Sequence, residues 1–496
     1  MTADAPTEFP HVFTPLQLRH RTLACRINFG AHTTNMAEAG RPADRHVAYY
    51  RERALGGAAM IVVEPVPVHR TAVLTRGNFL VDDDGGIPSF RRLTEECHEA
   101  GQQSGGGVTM IQQLYHVGQH GDADNSFQPN WSPSGLPSLH DADGSHAVSE
   151  ADIDEVLDGF TAAARRAREA GFDGVEIFAA YHALVDQFWT PWSNRRDDRW
   201  GGSLENRVRF SATLLRRIRS ACGDDFVVGL AVNADPQSDG SLTVAELQEI
   251  VAWHDERALI DYVSCGTGSY FDFHPLMPTS LYPARLGEPF AAALKEVVTH
   301  AVVQAESHIR TPEGAEAVLA AGHADMVSIV RGQIADPHLV AKARAGDAAR
   351  VRPCISCNQL CWGRRSRDYW ISCLVNPSTG REHEWGGDRF DRSPAPARVL
   401  VIGGGPGGLE AARVAAARGH DVTLVEAAEE LGGQWRLAGH QPSRGQILDH
   451  LDWYGHELAR LGVTVQCGRT ADVDLVRAAA ADHVVVATGA EPARAG

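Results

Sequence analysis

The sequence predicts an α/β protein: a (β/α)8 TIM barrel over residues 1–345, a four-cysteine segment with a linker over 346–397, and a Rossmann-like dinucleotide-binding domain over 398–496. Three observations predict it. A short apolar β-rich run followed by an amphipathic helical stretch recurs eight times between about residues 23 and 345. Four of the nine cysteines fall within twenty residues. After Arg398 the pattern restarts as strand, glycine turn, helix and strand.

The eight runs are RINFGAH (26–32), AMIVVEP (59–65), VTMIQQLYH (108–116), GVEIFAA (174–180), FVVGLAV (226–232), YVSCGTG (262–268), AVVQAES (301–307) and MVSIVRG (326–332). Apolar runs with little polar alternation are strands covered on both faces, as parallel strands under helices must be. Helical stretches such as DIDEVLDGFTAAARRAREAG (152–171) and LENRVRFSATLLRRIRSACG (204–223) lie between them. Such units close into a barrel whose site forms on the loops after the strand ends. An open doubly wound sheet is the alternative. Long inserts after the third run (117–148) and the sixth (268–286) would roof the same face. REHEWGGDRFDRSPAPA (381–397) is polar and proline-rich, a linker by composition.

With 496 residues, 43% hydrophobic and 22% charged, the chain can bury sizeable cores, which excludes wholesale disorder. Lys plus Arg number 46 against 63 for Asp plus Glu, a net charge of −17 that argues against nucleic-acid binding as the main task. No stretch approaches about 18 uninterrupted apolar residues, so no membrane span is expected. The start, MTADAPTEFP, has neither a basic nor an apolar signal region, and a soluble, cytoplasmic protein is expected.

Gly403, Gly405 and Gly408 form G-x-G-x-x-G between an apolar strand and a helix. The first glycine permits the tight turn, the second lets a pyrophosphate approach the backbone, and the third lets helix and strand pack closely. Glu426, eighteen residues after Gly408 at the end of the next strand, is placed to accept hydrogen bonds from a ribose. LGGQW (431–435) and VVVATGA (484–490) follow the pattern of two-dinucleotide flavoprotein domains, which favours FAD or its ADP moiety over NAD. Cys354, Cys357, Cys361 and Cys373 read C-x2-C-x3-C-x11-C. Three close thiolates can converge on one tight loop while the distant fourth closes the cage. Zinc ribbons pair two short knuckles instead, so the asymmetry favours a [4Fe-4S] cluster, with zinc and unliganded thiols as the alternatives. Cys25, Cys97, Cys222, Cys265 and Cys467 lie far apart, as small buried hydrophobes do.

Through CISCNQLC (354–361), RRDDRWGGSLENRVRF (195–210), ADMVSIVRGQIADPHL (324–339) and VLVIGGGPGG (399–408), the chain from Phe13 to Gly496 resembles the iron–sulfur flavoproteins of the old yellow enzyme superfamily. That group includes 2,4-dienoyl-CoA reductase, trimethylamine dehydrogenase and the dimethylglycine and N-methylproline demethylases. The resemblance implies FMN in the barrel, a four-iron cluster beside it and a dinucleotide domain behind. In such reductases electrons run from NADPH through FAD and the cluster to FMN; in the amine dehydrogenases they leave FMN through the cluster. Carried over position by position, Thr33 matches the residue near the flavin N5 edge and Gln113 the glutamine on the pyrimidine ring. Arg331 with Gly332 matches the phosphate loop, where a guanidinium suits the FMN phosphate.

Departures from the family carry the functional reading. The substrate-carbonyl ligands and proton-donating tyrosine of the ene reductases align here with Phe178, Tyr181 and Ala183, and the arginine usual on strand five is Ala231. AAYHALVDQFWTP (179–191) and GSYFDFHP (268–275) are closer to the dimethylglycine-type demethylases. Tyr181, His182 and His274, on loops after the fourth and sixth runs, are the candidates for binding substrate or moving a proton. The expected activity is FMN- and [4Fe-4S]-dependent oxidation of a small N-methylated amine by hydride transfer to flavin N5. Phe178, Tyr181, Trp189 and Phe271 would hold the ammonium by cation–π contact. An NAD(P)H-dependent ene or 2,4-dienoyl-CoA reductase is the alternative, and an electron-relay flavoprotein a third. The chain ends seven residues after Gly489, before the NAD(P)H-binding unit that the resemblance implies. It is therefore expected to be a fragment or to work without its own pyridine-nucleotide module. A small-molecule substrate and an electron-transfer partner or NAD(P)H are the expected partners; oligomeric state is not legible.

Overall fold

In the computed structural model, which describes residues 8–72, 79–80, 84–138 and 144–490, the eight apolar runs form one eight-stranded parallel sheet. The strands are β1 (Ile27–Asn28), β2 (Met60–Pro67), β3 (Thr109–Tyr115), β4 (Gly174–Phe178), β5 (Val227–Ala234), β6 (Tyr262–Thr267), β7 (Val302–Ala305) and β8 (Met326–Ser328). From β2 to β8 they pair in sequence, β8 pairs with β1, and Phe29 bridges to Ile61. The sheet thus curls round on itself as a barrel rather than lying open, and every strand is buried on both sides.

Helices α1 (Asp44–Leu55), α2 (Ile87–Gln103), α3 (Glu150–Glu169), α4 (Arg209–Cys222), α5 (Val244–Asp255), α6 (Glu288–Lys295), α7 (Pro312–Ala320) and α8 (Leu339–Arg344) alternate with the strands. Helix α3 shows why they form. Ser149 and Asp152 exchange hydrogen bonds as a capping box, and Ile153, Val156, Leu157, Phe160, Ala164 and Ala167 recur at helical spacing as its buried face. Within the insert at 117–148, Asn130–Ser132 pairs with Ser145–Ala147; residues 139–143 lie outside the described residues.

The second sheet holds β9 (Arg398–Ile402), β10 (Asp421–Val425), β11 (Thr464–Gln466) and β12 (His483–Val486), all parallel in the order β11-β10-β9-β12. Helices α9 (Pro406–Ala417) and α10 (Gln446–Arg460) pack on it around Val401, Leu409, Leu424 and Trp453. The Trp453 indole donates to the Arg350 carbonyl (2.9 Å). Burial opposes ionisation of Asp388, yet the guanidiniums of Arg352 and Arg413 hold its carboxyl down to about 2. The stretch at 381–397 begins with a helical turn, Glu382–Trp385, tied to α1 by a buried ion pair between Arg53 and Glu382 (2.6 Å). Residues 1–7 and 491–496, on which the readings of the chain's start and end rest, lie outside the described residues. No helix among the described residues is long and apolar enough to cross a membrane.

Candidate active site

A cavity of about 220 Å³ opens where the barrel strands end at their C-terminal side. Its floor is polar because one layer of inward side chains is polar. Gln113 on β3, Glu176 on β4 and Gly229 on β5 lie in register, with Tyr262 of β6 next to Gly229. A methyl on Gly229 would meet the Tyr262 ring at 2.2 Å, so only glycine lets this tyrosine lie across the barrel. There its hydroxyl donates to Glu176 Oε2 (2.9 Å), and Gln113 Nε2 donates to Oε1 (2.6 Å). A second chain of hydrogen bonds fixes Glu306, just beyond β7. Asn28 donates to Gln304 (2.8 Å), Gln304 to Ser264 (2.9 Å), and Ser264 to Glu306 Oε2 (3.0 Å).

Burial, and then the neighbouring Glu306, push the Glu176 carboxyl up to about 7, against the hydrogen bonds from Gln113 and Tyr262. Burial likewise raises Glu306. A raised folded value means that the native state keeps a proton the unfolded chain loses. Stability should therefore fall as pH rises from about 4.5 to about 7, by up to about 3 kcal/mol, and stay low above that window. Glu176→Gln is expected to flatten this fall, read as denaturant midpoints at pH 5 and pH 8. An unchanged slope would assign the proton elsewhere.

The loop after β4 aims its side chains through backbone strain. Tyr181 (φ 58°) and His182 (φ 65°) both adopt the left-handed region, unfavourable by roughly 1–2 kcal/mol per non-glycine residue. Fixed acceptors hold them there: the Tyr181 amide donates to Asn233 Oδ1, and the His182 amide to Asp186 Oδ2 (2.7 Å). The Tyr181 phenol consequently points over Gly266. A methyl on that glycine would sit 2.7 Å from the phenol oxygen and 2.8 Å from Glu306 Oε1. Burial, and then Glu306, push the phenol well above its ordinary value, so it stays protonated.

Tyr181 lines the cavity; His182 does not. His182 is buried, bonded to His120 (2.9 Å) and Ser193 (3.0 Å), and burial holds it well below the usual imidazole value. His274 is exposed on the roof, away from the cavity lining. Of the four aromatic residues expected around an ammonium, Phe178 and Tyr181 line the cavity. Trp189 is instead buried against Ser211, and Phe271 packs on His182 and Trp192. Tyr115, Tyr270, Phe273 and Trp362 complete the aromatic wall. Glu176, Glu306 and Arg365 also line the cavity and escaped the sequence reading. The one local signal was an acid at the end of an apolar strand run, as in AVVQAES.

Thr33, Gln113 and Arg331 line this same cavity. Arg331 donates to the Pro278 carbonyl (2.6 Å) and to Asn358 Oδ1 (2.7 Å). A methyl on Gly332 would strike the Arg310 carbonyl at 2.2 Å, and one on Gly30 would strike Ser328 Oγ at 2.3 Å. Ser328 Oγ is a buried polar atom facing the cavity without a partner among the described residues. In the second sheet, Gly403 takes φ +107° and a methyl there would meet the Ala487 carbonyl at 2.3 Å; one on Gly408 would meet the Gly403 carbonyl at 1.9 Å. Gly405 faces open space, as the approach of a phosphate requires. Glu426 accepts from the amides of Gly404 and Ala428 (2.8 Å for the latter), beside the turn.

Cys354, Cys357, Cys361 and Cys373 lie on the segment that joins the two sheets. Cys354, Cys357 and Cys373 pack on Ala335, Ile355 and Val375, a cluster that Trp435 and Ile447 of the second unit also cover, and Cys361 lines the barrel cavity. All four are unpaired thiols. Burial pushes Cys361 up to about 11 and Cys373 further, so they become thiolates only where a cation displaces the proton. Among the described residues no three metal-ligating side chains are gathered to hold a single ion. A cluster of several irons sets its ligands wider apart than one ion does.

Residues 11–349 match the NADH:flavin oxidoreductase / NADH oxidase family, and residues 398–460 match FAD dependent oxidoreductase. The chain is 37% identical over 496 residues to N,N-dimethylglycine/sarcosine dehydrogenase of Chromohalobacter salexigens, covering 98% of this chain and 70% of that protein. It is 35% identical over 490 residues to a probable N-methylproline demethylase of Rhizobium meliloti, covering 96% and 70%. The structure of a 2-naphthoyl-CoA reductase bound to 2-naphthoyl-CoA superposes with a TM-score of 0.93 at 27% identity, covering 98% of this chain and 75% of that one.

Proposed function

Because the chain belongs to the NADH:flavin oxidoreductase / NADH oxidase family, we propose that this oxidoreductase removes a methyl group oxidatively from a small N-methylated amine. In this reading FMN lies in the barrel cavity, a [4Fe-4S] cluster on Cys354, Cys357, Cys361 and Cys373, and FAD or its ADP moiety at Gly403, Gly405, Gly408 and Glu426. The observation that carries it is an aromatic wall lining the same cavity as two carboxyls, the buried Glu176 and the half-buried Glu306. Two relatives whose names specify N-methylated substrates support it.

Bound FMN supplies a hydride acceptor at N5. Arg331 and Gly332 would hold its phosphate, Gln113 its pyrimidine edge and Thr33 its N5 side, while Ser328 Oγ gains the partner it lacks. Phe178 and Tyr181 hold the amine over the cavity by cation–π contact. Glu306, beside the Tyr181 phenol, takes the proton that an ammonium must lose before a hydride can leave its methyl carbon. Tyr181 is the catalytic contact in this scheme. His182 is a positioning residue that fixes the Tyr181 loop, and His274 stands on the roof outside the cavity. Hydrolysis of the resulting iminium by water gives formaldehyde and the demethylated amine. A [4Fe-4S] cluster held by Cys354, Cys357, Cys361 and Cys373 would supply one-electron transfer toward an outside acceptor.

Anaerobic mixing with dimethylglycine, N-methylproline and trimethylamine is expected to bleach the flavin with at least one of them. Oxidised flavin after all three would sink the reading. The likeness to the 2-naphthoyl-CoA reductase fold favours a second reading, NAD(P)H-dependent reduction of a conjugated thioester with Tyr181 as proton donor. NADPH-driven turnover of an enoyl thioester, with the amines silent, would select it.

A further inference from the structure

The aromatic wall is continuous, and a cation closes it. Centroids lie 6.2 Å apart for Tyr115 and Phe178, 5.6 Å for Phe178 and Tyr181, and 6.4 Å for Tyr181 and Tyr270. They lie 5.8 Å apart for Tyr270 and Phe273, and 5.1 Å for Phe273 and Trp362. The Arg365 guanidinium sits 4.9 Å from the Trp362 centroid and is also an electrostatic neighbour of Tyr270 and of Tyr115, the first ring of the series. Arg365 is partly buried and lines the cavity. The other arginines nearby are engaged: Arg331 with Pro278 and Asn358, and Arg364 with the Trp370 carbonyl (2.7 Å). Among the described residues the Arg365 guanidinium has no hydrogen-bond or ion-pair partner.

A cage of rings selects a cation, whereas a guanidinium set into that cage repels one. One ligand satisfies both features: a zwitterion with its ammonium over the rings and its carboxylate on the planar fork of the arginine. We propose that Arg365 determines specificity in this cavity by taking the carboxylate of an N-methylated amino acid, and that it discriminates against simple methylamines. The inference rests on the amine reading above and narrows its substrate class.

The test is calorimetric titration of the flavin-loaded protein with glycine betaine and with tetramethylammonium, which share a quaternary nitrogen and differ in the carboxylate. Wild type is expected to prefer betaine by at least about tenfold. Arg365→Met should weaken betaine binding by about 10- to 100-fold, the worth of a charge-assisted hydrogen-bonded pair, and leave tetramethylammonium binding equal or tighter. Arg365→Lys, which keeps the charge but loses the fork, should weaken betaine by roughly three- to tenfold, and it carries the test if the methionine variant does not fold. A betaine preference unchanged by these variants would overturn the inference. So would a wild-type preference for tetramethylammonium, or loss of FMN from Arg365→Met with the preference intact, which would assign the guanidinium to the flavin. Flavin bleaching by amines is a separate readout. Bleaching together with binding indifferent to Arg365 removes this inference and spares the amine reading; Arg365-dependent betaine binding without bleaching does the reverse.

Discussion

Replacing Cys357 by alanine is expected to abolish the visible absorption of the proposed [4Fe-4S] cluster while leaving the flavin's reduction by substrate intact. Electron delivery to an outside acceptor should slow by more than the roughly 100-fold that loss of an outer-sphere partner costs a metal site. The expectation follows from position. Cys361 and Trp362 line the barrel cavity, whereas Cys354, Cys357 and Cys373 pack on Ala335, Ile355 and Val375, the same small cluster that Trp435 and Ile447 of the nucleotide-binding unit cover. The cysteine segment is therefore the covalent and spatial bridge between the two candidate flavin sites, where a one-electron carrier is useful. A zinc staple predicts the opposite spectrum: no colour in wild type and no change on mutation. Stoichiometric zinc without iron or acid-labile sulfide, in protein purified without air, would contradict the cluster assignment.

The second large effect concerns folding. Glu382→Ala is expected to lower stability by about 3–5 kcal/mol, the usual result of leaving a buried charge without its partner. Arg53 is fully buried, stacks 3.7 Å from the Tyr49 centroid, and directs Nη1 to Glu382 Oε1 (2.6 Å) and the Tyr49 carbonyl (2.7 Å). Its Nε and Nη2 already lack partners among the described residues, so no spare acceptor stands ready. The double variant Arg53→Met with Glu382→Leu should recover most of the loss, because a hydrophobic replacement removes both desolvation penalties. Denaturant midpoints for the single and double variants decide this; additive losses would mean that the two residues act independently.

The barrel was legible because parallel strands buried on both faces leave apolar runs that little else explains. RINFGAH (26–32) is longer than its strand: Ile27–Asn28 pair in the ladder, Phe29 adds an isolated bridge to Ile61, and Gly30 passes close to Ser328. The nucleotide turn was legible because its glycines are required at particular φ angles and close approaches, a constraint written in one short stretch. The electrostatics of the cavity were not. Glu176 and Glu306 stand far apart in sequence, and only closure of the barrel sets the half-buried Glu306 beside the buried Glu176, where each charge opposes the other. Arg365 lies in GRRSR, which looks like a solvated run; the fold pairs Arg364 with Trp370 and leaves Arg365 to the cavity. Tyr181 and His182 are adjacent, and which one faces the cavity follows from two left-handed φ angles set by Asn233 and Asp186, a tertiary fact.

Oxidative removal of a methyl group at the barrel cavity, as proposed, has a balance that can be counted. In an anaerobic single turnover with N,N-dimethylglycine, each FMN reduced should be matched by one formaldehyde and one demethylated amine, the hydride leaving the methyl carbon and water supplying the oxygen. Flavin reduction without formaldehyde, or formaldehyde in no fixed ratio to reduced FMN, would contradict the account.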